Sequence, residues 1–133
     1  MGLCLCVFNE ELSDEHAASE VGSYADFNAF RQAVARQLGR SDFPVLLLHS
    51  DCDGEWPFEE LPALIKELDV IAAAFARLPR ALYVPSSNPA VSVPPDARTL
   101  SECYVDVQGD KLVDALRHLA RTGIEFHRPI SFN

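Results

Sequence analysis

Residues 43–49 read FPVLLLH and run directly into SDCDGEW at 50–56. A short, unbroken apolar run closed by a polar, glycine-containing loop is the pattern of a strand buried on both faces. A second run of this type, GLCLCVF at 2–8, ends at Asn9, Glu10 and Glu11. Two such strands set the expectation of a sheet covered by helices, and the intervening segments follow from it.

Ser23 precedes Asp26 by three residues, a capping box, and Phe27, Phe30, Val34 and Leu38 then recur at helical spacing up to Gly39. A helix is expected there. Leu61, Leu64, Ile65, Leu68, Ile71, Phe75 and Leu78 form the stripe of a second, longer helix, with Pro62 in its first turn and residues 57–61 as a separate turn. CYVDV at 103–107 alternates as a third strand would, with Gln108, Gly109 and Asp110 as the turn behind it. Leu112, Leu116, Leu119 and Ala120 predict a third helix closed by Gly123, and residues 124–126 and 129–132 carry short strand-like patterns. The polar stretch 9–22 reads as a loop. Residues 79–95 hold five of the nine prolines, so 79–100 reads as an irregular connection, at the surface where its backbone groups meet water.

The expected fold class is therefore α/β (or α+β), one domain over residues 1–133. About four strands form a mixed or parallel sheet covered by three helices, in the order β-α-β-α-β-α-β. Leu3, Leu5, Val7, Val45, Leu46, Leu47, Val105 and Val107 are the expected sheet core. Phe27, Phe30, Leu64, Leu68, Ile71, Phe75, Leu112 and Leu116 pack on it from the helices.

At 133 residues with 48% hydrophobic side chains, the chain can bury a core without staples. Its longest apolar run, residues 70–76, is far short of the roughly 20 residues of a membrane span. The start has no basic segment ahead of its apolar stretch, which argues against a signal peptide and for a cytoplasmic protein. Cys4 and Cys6 lie two apart on one face of a strand, poorly placed to bridge each other; with Cys52 and Cys103 they read as free thiols rather than a zinc set.

Net charge is −9, and all of it resides in residues 1–60, where twelve acids face only Arg31, Arg36 and Arg40. The acids concentrate in Glu10, Glu11, Asp14, Glu15 and Glu20, and again in Asp51, Asp53, Glu55, Glu59 and Glu60. Such a field repels nucleic acid and attracts a cationic partner.

The densest polar cluster, His49 to Trp56, leaves the end of the expected strand, where open sheets bind ligands. Its spacing partly matches a calcium loop, with Asp51, Asp53 and Glu60 as oxygen donors, but His49 falls on the first position and the entering helix is missing. D-x-D-G resembles the opening motif of haloacid-dehalogenase-type phosphatases, with Asp51 as nucleophile and Asp53 as acid–base, although no later acidic pair completes the magnesium site. A Cys52 nucleophile beside His49 lacks an oxyanion hole, and its neighbouring carboxylates disfavour a thiolate. Neither a catalytic set, a metal nor a cofactor is assigned. A turn and helix entry accounts for the loop's shape, whereas Trp56 between Glu55 and Glu59 has the makings of an aromatic anchor in an acidic patch. Asp51, Asp53, Glu55, Trp56, Glu59 and Glu60 are the candidate partner-binding residues, with Glu10, Glu11, Asp14 and Glu15 as a second patch.

MGLCLCVF at the start, VGSYADFNAFR at 21–31, FPVLLLHSDCDGEW at 43–56, ELPALIKELDVIAAAF at 60–75, YVDVQGDKLVDALRHLA at 104–120 and PISFN at 129–133 together resemble the immunity protein 70 family of bacterial polymorphic-toxin systems. LLLHSDCDGEW with the opening strand carries most of the likeness. The resemblance implies a small cytoplasmic protein that binds and neutralises a cognate toxin domain by occupying its surface, with no catalytic residues. The acidic first half adds an expectation of a basic toxin surface, as nuclease-type toxins have.

Overall fold

A computed structural model describes residues 2–49 and 54–133. β1 (Gly2–Phe8) sends Leu3, Leu5 and Val7 inward, all at 1% exposure or less, while Cys4, Cys6 and Phe8 point to the other face. It turns back through residues 9–14 into β2 (Glu15–Ser23), its antiparallel partner. Asn9 builds the turn: its side-chain oxygen accepts the Ser13 N–H at 3.0 Å, and its backbone N–H donates to the Asp14 carbonyl at 2.9 Å.

β2 occupies most of the stretch expected to be a loop. Its inward residues, Ala17, Ser19 and Val21, are small or β-branched and its outward ones, Ala18 and Glu20, are exposed, so the alternation is present without bulky apolar side chains to announce it. Charge on an edge strand also blocks pairing with other chains.

α1 (Tyr24–Leu38) follows without a break. Ser23 Oγ accepts the Asp26 N–H at 3.0 Å while Asp26 Oδ2 accepts the Ser23 N–H at 2.9 Å, and Gly39 at φ +88° ends the helix as expected. Asp26 reaches further, accepting the Ser86 hydroxyl at 2.9 Å and the Ala90 N–H at 2.8 Å, and so ties down the proline-rich connection. None of residues 79–95 is buried, as expected of an irregular segment, and Arg80 Nη1 braces it against the carbonyls of Pro94, Pro95 and Ala97.

The run FPVLLLH is not a strand. Residues Pro44–Leu47 form a one-turn helix, α2. Pro44 starts it, and the Glu67 carboxylate reaches in from α3 (Leu61–Phe75) to accept the Val45 and Leu46 N–H groups at 3.0 Å each. Phe43 and Leu46, three apart, are its buried pair; Val45 and Leu47 are half-buried and Leu48 is 82% exposed. Uniform apolarity carries no period, so it could not separate the two readings.

After β3 (Glu55–Trp56) and a 3-10 turn, α3 buries Leu61, Leu64, Leu68, Ile71 and Phe75 completely. The short α4 (Leu100–Cys103) takes the start of the expected third strand, and the rest of CYVDV makes only a single bridge, Val105 with Lys111. Asp106 explains this: its buried carboxylate accepts the Gln108 and Asp110 N–H groups, folding the segment into a turn and leaving Val107 51% exposed rather than in the core. α5 (Leu112–Phe126) runs past Gly123 to a left-handed His127, so residues 124–126 are its last turn and not a strand. Gly123 serves packing: a Cβ there would lie 2.5 Å from Leu61 Cδ1 and 2.7 Å from the Arg128 carbonyl oxygen.

β4 (Ile130–Phe132) completes one four-stranded sheet of order β2-β1-β4-β3. Every pair is antiparallel, correcting the expected mixed or parallel sheet, and the helices lie between the strands as β-β-α-α-β-α-α-α-β. The fold is α+β. Leu3, Leu5 and Val7 share one apolar cluster with the buried faces of α1, α3 and α5.

Candidate partner-binding surface

Pleating divides the sheet into two faces. One meets the helices. On the other, Cys6 stands opposite Ala18 on β2 and Ser131 on β4, and Ser131 stands opposite Glu55 on β3. Cys4 pairs with Glu20 and Phe8 with Glu15, so Glu15, Glu20 and Glu55 share this outer face. Glu15, Ala18, Glu20 and Glu55 are exposed, and Cys4, Phe8 and Ser131 are half-exposed. Three strand spacings place Glu55 about 14 Å from Ala18, so the face is broad enough for a protein partner to rest on.

The sheet thereby joins the two acidic stretches that lie forty residues apart in sequence, through Glu15 of one and Glu55 of the other. Glu10, Glu11 and Asp14 are exposed at the β1–β2 turn, at the rim of the same face. Glu59 and Glu60 are exposed just past β3, both within the 3-10 turn. Asp51 and Asp53, like Cys52, lie outside the described residues. Arg31 and Arg36 sit on α1, across the core, and Arg31 is buried, donating to the backbone carbonyls of Leu47 and His49.

Trp56 is not an exposed anchor. It is wholly buried, with its ring edge-on to Phe27 at 6.4 Å and Phe132 at 4.8 Å and its indole N–H on the Val45 carbonyl. Strand alternation is the cause: Glu55 faces out, so its neighbour faces in. His49, the first position of the calcium-loop spacing, stacks on Phe132 at 4.2 Å and shares its Nε2 with the Glu55 carbonyl at 2.8 Å. The phosphatase motif also requires a strand ahead of Asp51, and that segment is α2.

Glu20 belongs to the surface although the binding set expected from sequence omits it, and Cys4, expected to be buried in a two-sided strand, is half-exposed on the same face, whereas Cys6 beside it is buried as expected. An alternation of Ala17, Ser19 and Val21 against Ala18 and Glu20 was the available signal, obscured by side chains of low strand preference. The Cys4 and Cys6 sulfurs are 3.1 Å apart, both free, and the Glu15 carboxylate lies beside them. Burial, reinforced by the contacts with Cys4 and Glu15, pushes the Cys6 thiol well above its ordinary value.

Among the described residues no helix is long and apolar enough to cross a membrane. No curated protein and no solved structure matches the chain. The family model for immunity protein 70, in contrast, matches residues 5–132, spanning all four strands, both acidic stretches and the helical layer. By that match over nearly its whole length, the chain belongs to the immunity protein 70 family.

Proposed function

We propose that this protein binds a cognate bacterial toxin domain through the outer face of its sheet and neutralises it by occlusion, without catalysis of its own. The family supplies the toxin as partner. The observation that carries the surface is the placement of Glu15, Glu20 and Glu55 on one open sheet face, with Glu10, Glu11 and Asp14 at its rim. An array of carboxylates with few bases among them complements a cationic cleft of the kind that holds a nucleic-acid backbone, which favours a nuclease-type toxin in the cytoplasm of the producing cell.

The test is co-expression. A toxin gene lying beside this one should kill when expressed alone and be tolerated when this protein is present. The purified pair should form a complex whose association slows with salt. Failure of protection would remove the toxin-neutralising reading; protection that survives reversal of Glu20 and Glu55 to Lys would move the binding surface elsewhere on the protein.

A further inference from the structure

We propose that Cys4, Cys6 and Glu15 form a three-donor binding site for a thiophilic divalent cation of the zinc class on the outer face of the sheet. Three features of the backbone assemble it. Residues two apart on β1 project from the same face, which sets the two thiols side by side at 3.1 Å. A register shift between Val7 and Phe8 skips His16 on the opposing strand, so Glu15 rather than His16 stands across from Phe8 and swings its carboxylate toward the thiols. One sulfur from each cysteine and one carboxylate oxygen then lie within 4.8 Å of one another.

Those separations suit a metal. Zinc bonds of roughly 2.0–2.3 Å in a tetrahedron hold their donors about 3.4–3.8 Å apart, so the sulfurs, at 3.1 Å, need to part by less than about 1 Å, and the carboxylate, within 4.8 Å of them, reaches the ion by a small side-chain rotation. The donor set selects the ion: two sulfurs favour zinc or cadmium over magnesium or calcium, and the carboxylate adds a hard anionic arm. Space is present as well, because the residue facing Cys6 on β2 is the small, exposed Ala18. Cys6 is buried, Cys4 half-buried and Glu15 exposed, so the three donors close the inner side and leave the fourth position toward solvent, for water or a ligand from a docked partner.

Charge balances on binding. Two thiol protons leave to solvent as one dication arrives, so the outer face keeps its net negative charge. The ion would cross-link β1 to β2 at the end of the hairpin nearest the acidic turn.

The full-length, freshly reduced, metal-free protein is titrated with zinc against a chromophoric chelator, and with cadmium while the thiolate charge-transfer absorption is followed. One equivalent should bind with a Kd near or below about 1 µM and release two protons. Cys6→Ser should abolish the band, Glu15→Gln should weaken binding about tenfold, and Cys103→Ser should change neither. If Cys6→Ser does not fold, Cys4→Ser at the half-exposed position gives the same reading. Absence of binding in the reduced protein overturns the site, as does a band that survives in Cys4→Ser or is lost in Cys103→Ser.

Discussion

The indole N–H of Trp56 donates to the carbonyl oxygen of Val45 at 3.0 Å, joining the edge strand β3 to the one-turn helix α2. This bond acts beside the contact of His49 Nε2 with the Glu55 carbonyl, which ties the chain just past α2 to the same strand. Trp56→Ala removes the ring that packs against Phe27 and Phe132 and should cost about 3–5 kcal/mol. Trp56→Phe keeps most of the packing but leaves the Val45 carbonyl without its donor, for a loss of about 1–3 kcal/mol. Urea denaturation distinguishes the two: a Trp56→Phe variant as stable as wild type would show that the hydrogen bond contributes nothing, and equal losses in both variants that the ring packing adds nothing to it.

Glu67 holds α2 in place through two N–H groups, one on each carboxylate oxygen, and Gln turns one of those acceptors into an NH2 donor that faces an N–H. Glu67→Gln should destabilise by about 1–3 kcal/mol and raise hydrogen exchange at Val45 and Leu46 first. Burial pushes the Glu67 carboxyl upward, and it prevails over the opposing bonds from Leu46 and Val45. A raised carboxyl contributes stability below its unfolded value of about 4.3 and loses it as pH rises through the folded value. Melting of wild type relative to Glu67→Gln should therefore decline over that window.

Asp26 has the opposite sign. Burial pushes its carboxyl up, but the N–H groups of Ser23 and Ala90 and the hydroxyls of Ser86 and Ser23 outweigh it and hold the group below the usual range. Its contribution is complete above about 3.9 and disappears as pH falls through the folded value. Asp26→Asn should cost about 1–3 kcal/mol at neutral pH and speed proteolysis between residues 84 and 93, because the same carboxylate caps α1 and clasps that connection.

Gly123→Ala should destabilise by about 1–3 kcal/mol, since the added methyl meets the Arg128 backbone oxygen as well as Leu61. Thermal melting measures it. The Leu61→Ala background should relieve only the side-chain part of the clash.

Replacing Glu20 and Glu55 with Lys should slow association with the toxin about tenfold at low salt and flatten the salt dependence, while dissociation changes less. Both side chains are exposed, so stability should stay within about 0.5 kcal/mol of wild type. Stopped-flow binding at two ionic strengths gives the answer.

What could be read from the residues divides along physical lines. α1, α3 and the body of α5 were legible because Phe27, Phe30 and Val34, or Leu61, Leu64, Leu68 and Ile71, repeat at the helical period while one face stays polar. α2 was not, because FPVLLLH is apolar throughout and the group that makes it a helix, Glu67, lies 21 and 22 residues beyond the N–H groups it accepts. β2 was hidden by Ala and Ser where Val or Ile would have been expected. The candidate surface shows the same division. Acidic clustering pointed to Glu10, Glu11, Asp14, Glu15 and Glu55, but only the strand order shows that Glu15 and Glu55 share a face, and only the pleat shows that Trp56 does not.

β4 lies between β1 and β3, pairing Phe132 with Leu5 and Ile130 with Trp56. Residues 130–132 thus close a sheet that also holds residues 2–8, which precede them by more than a hundred positions. Until residue 130 has emerged, β1 has a bare inner edge and β3 has no strand to join, so the platform bearing Glu15 and Glu55 does not yet exist. On the proposed reading, a nascent chain should be unable to hold a partner on this face until β4 has been inserted.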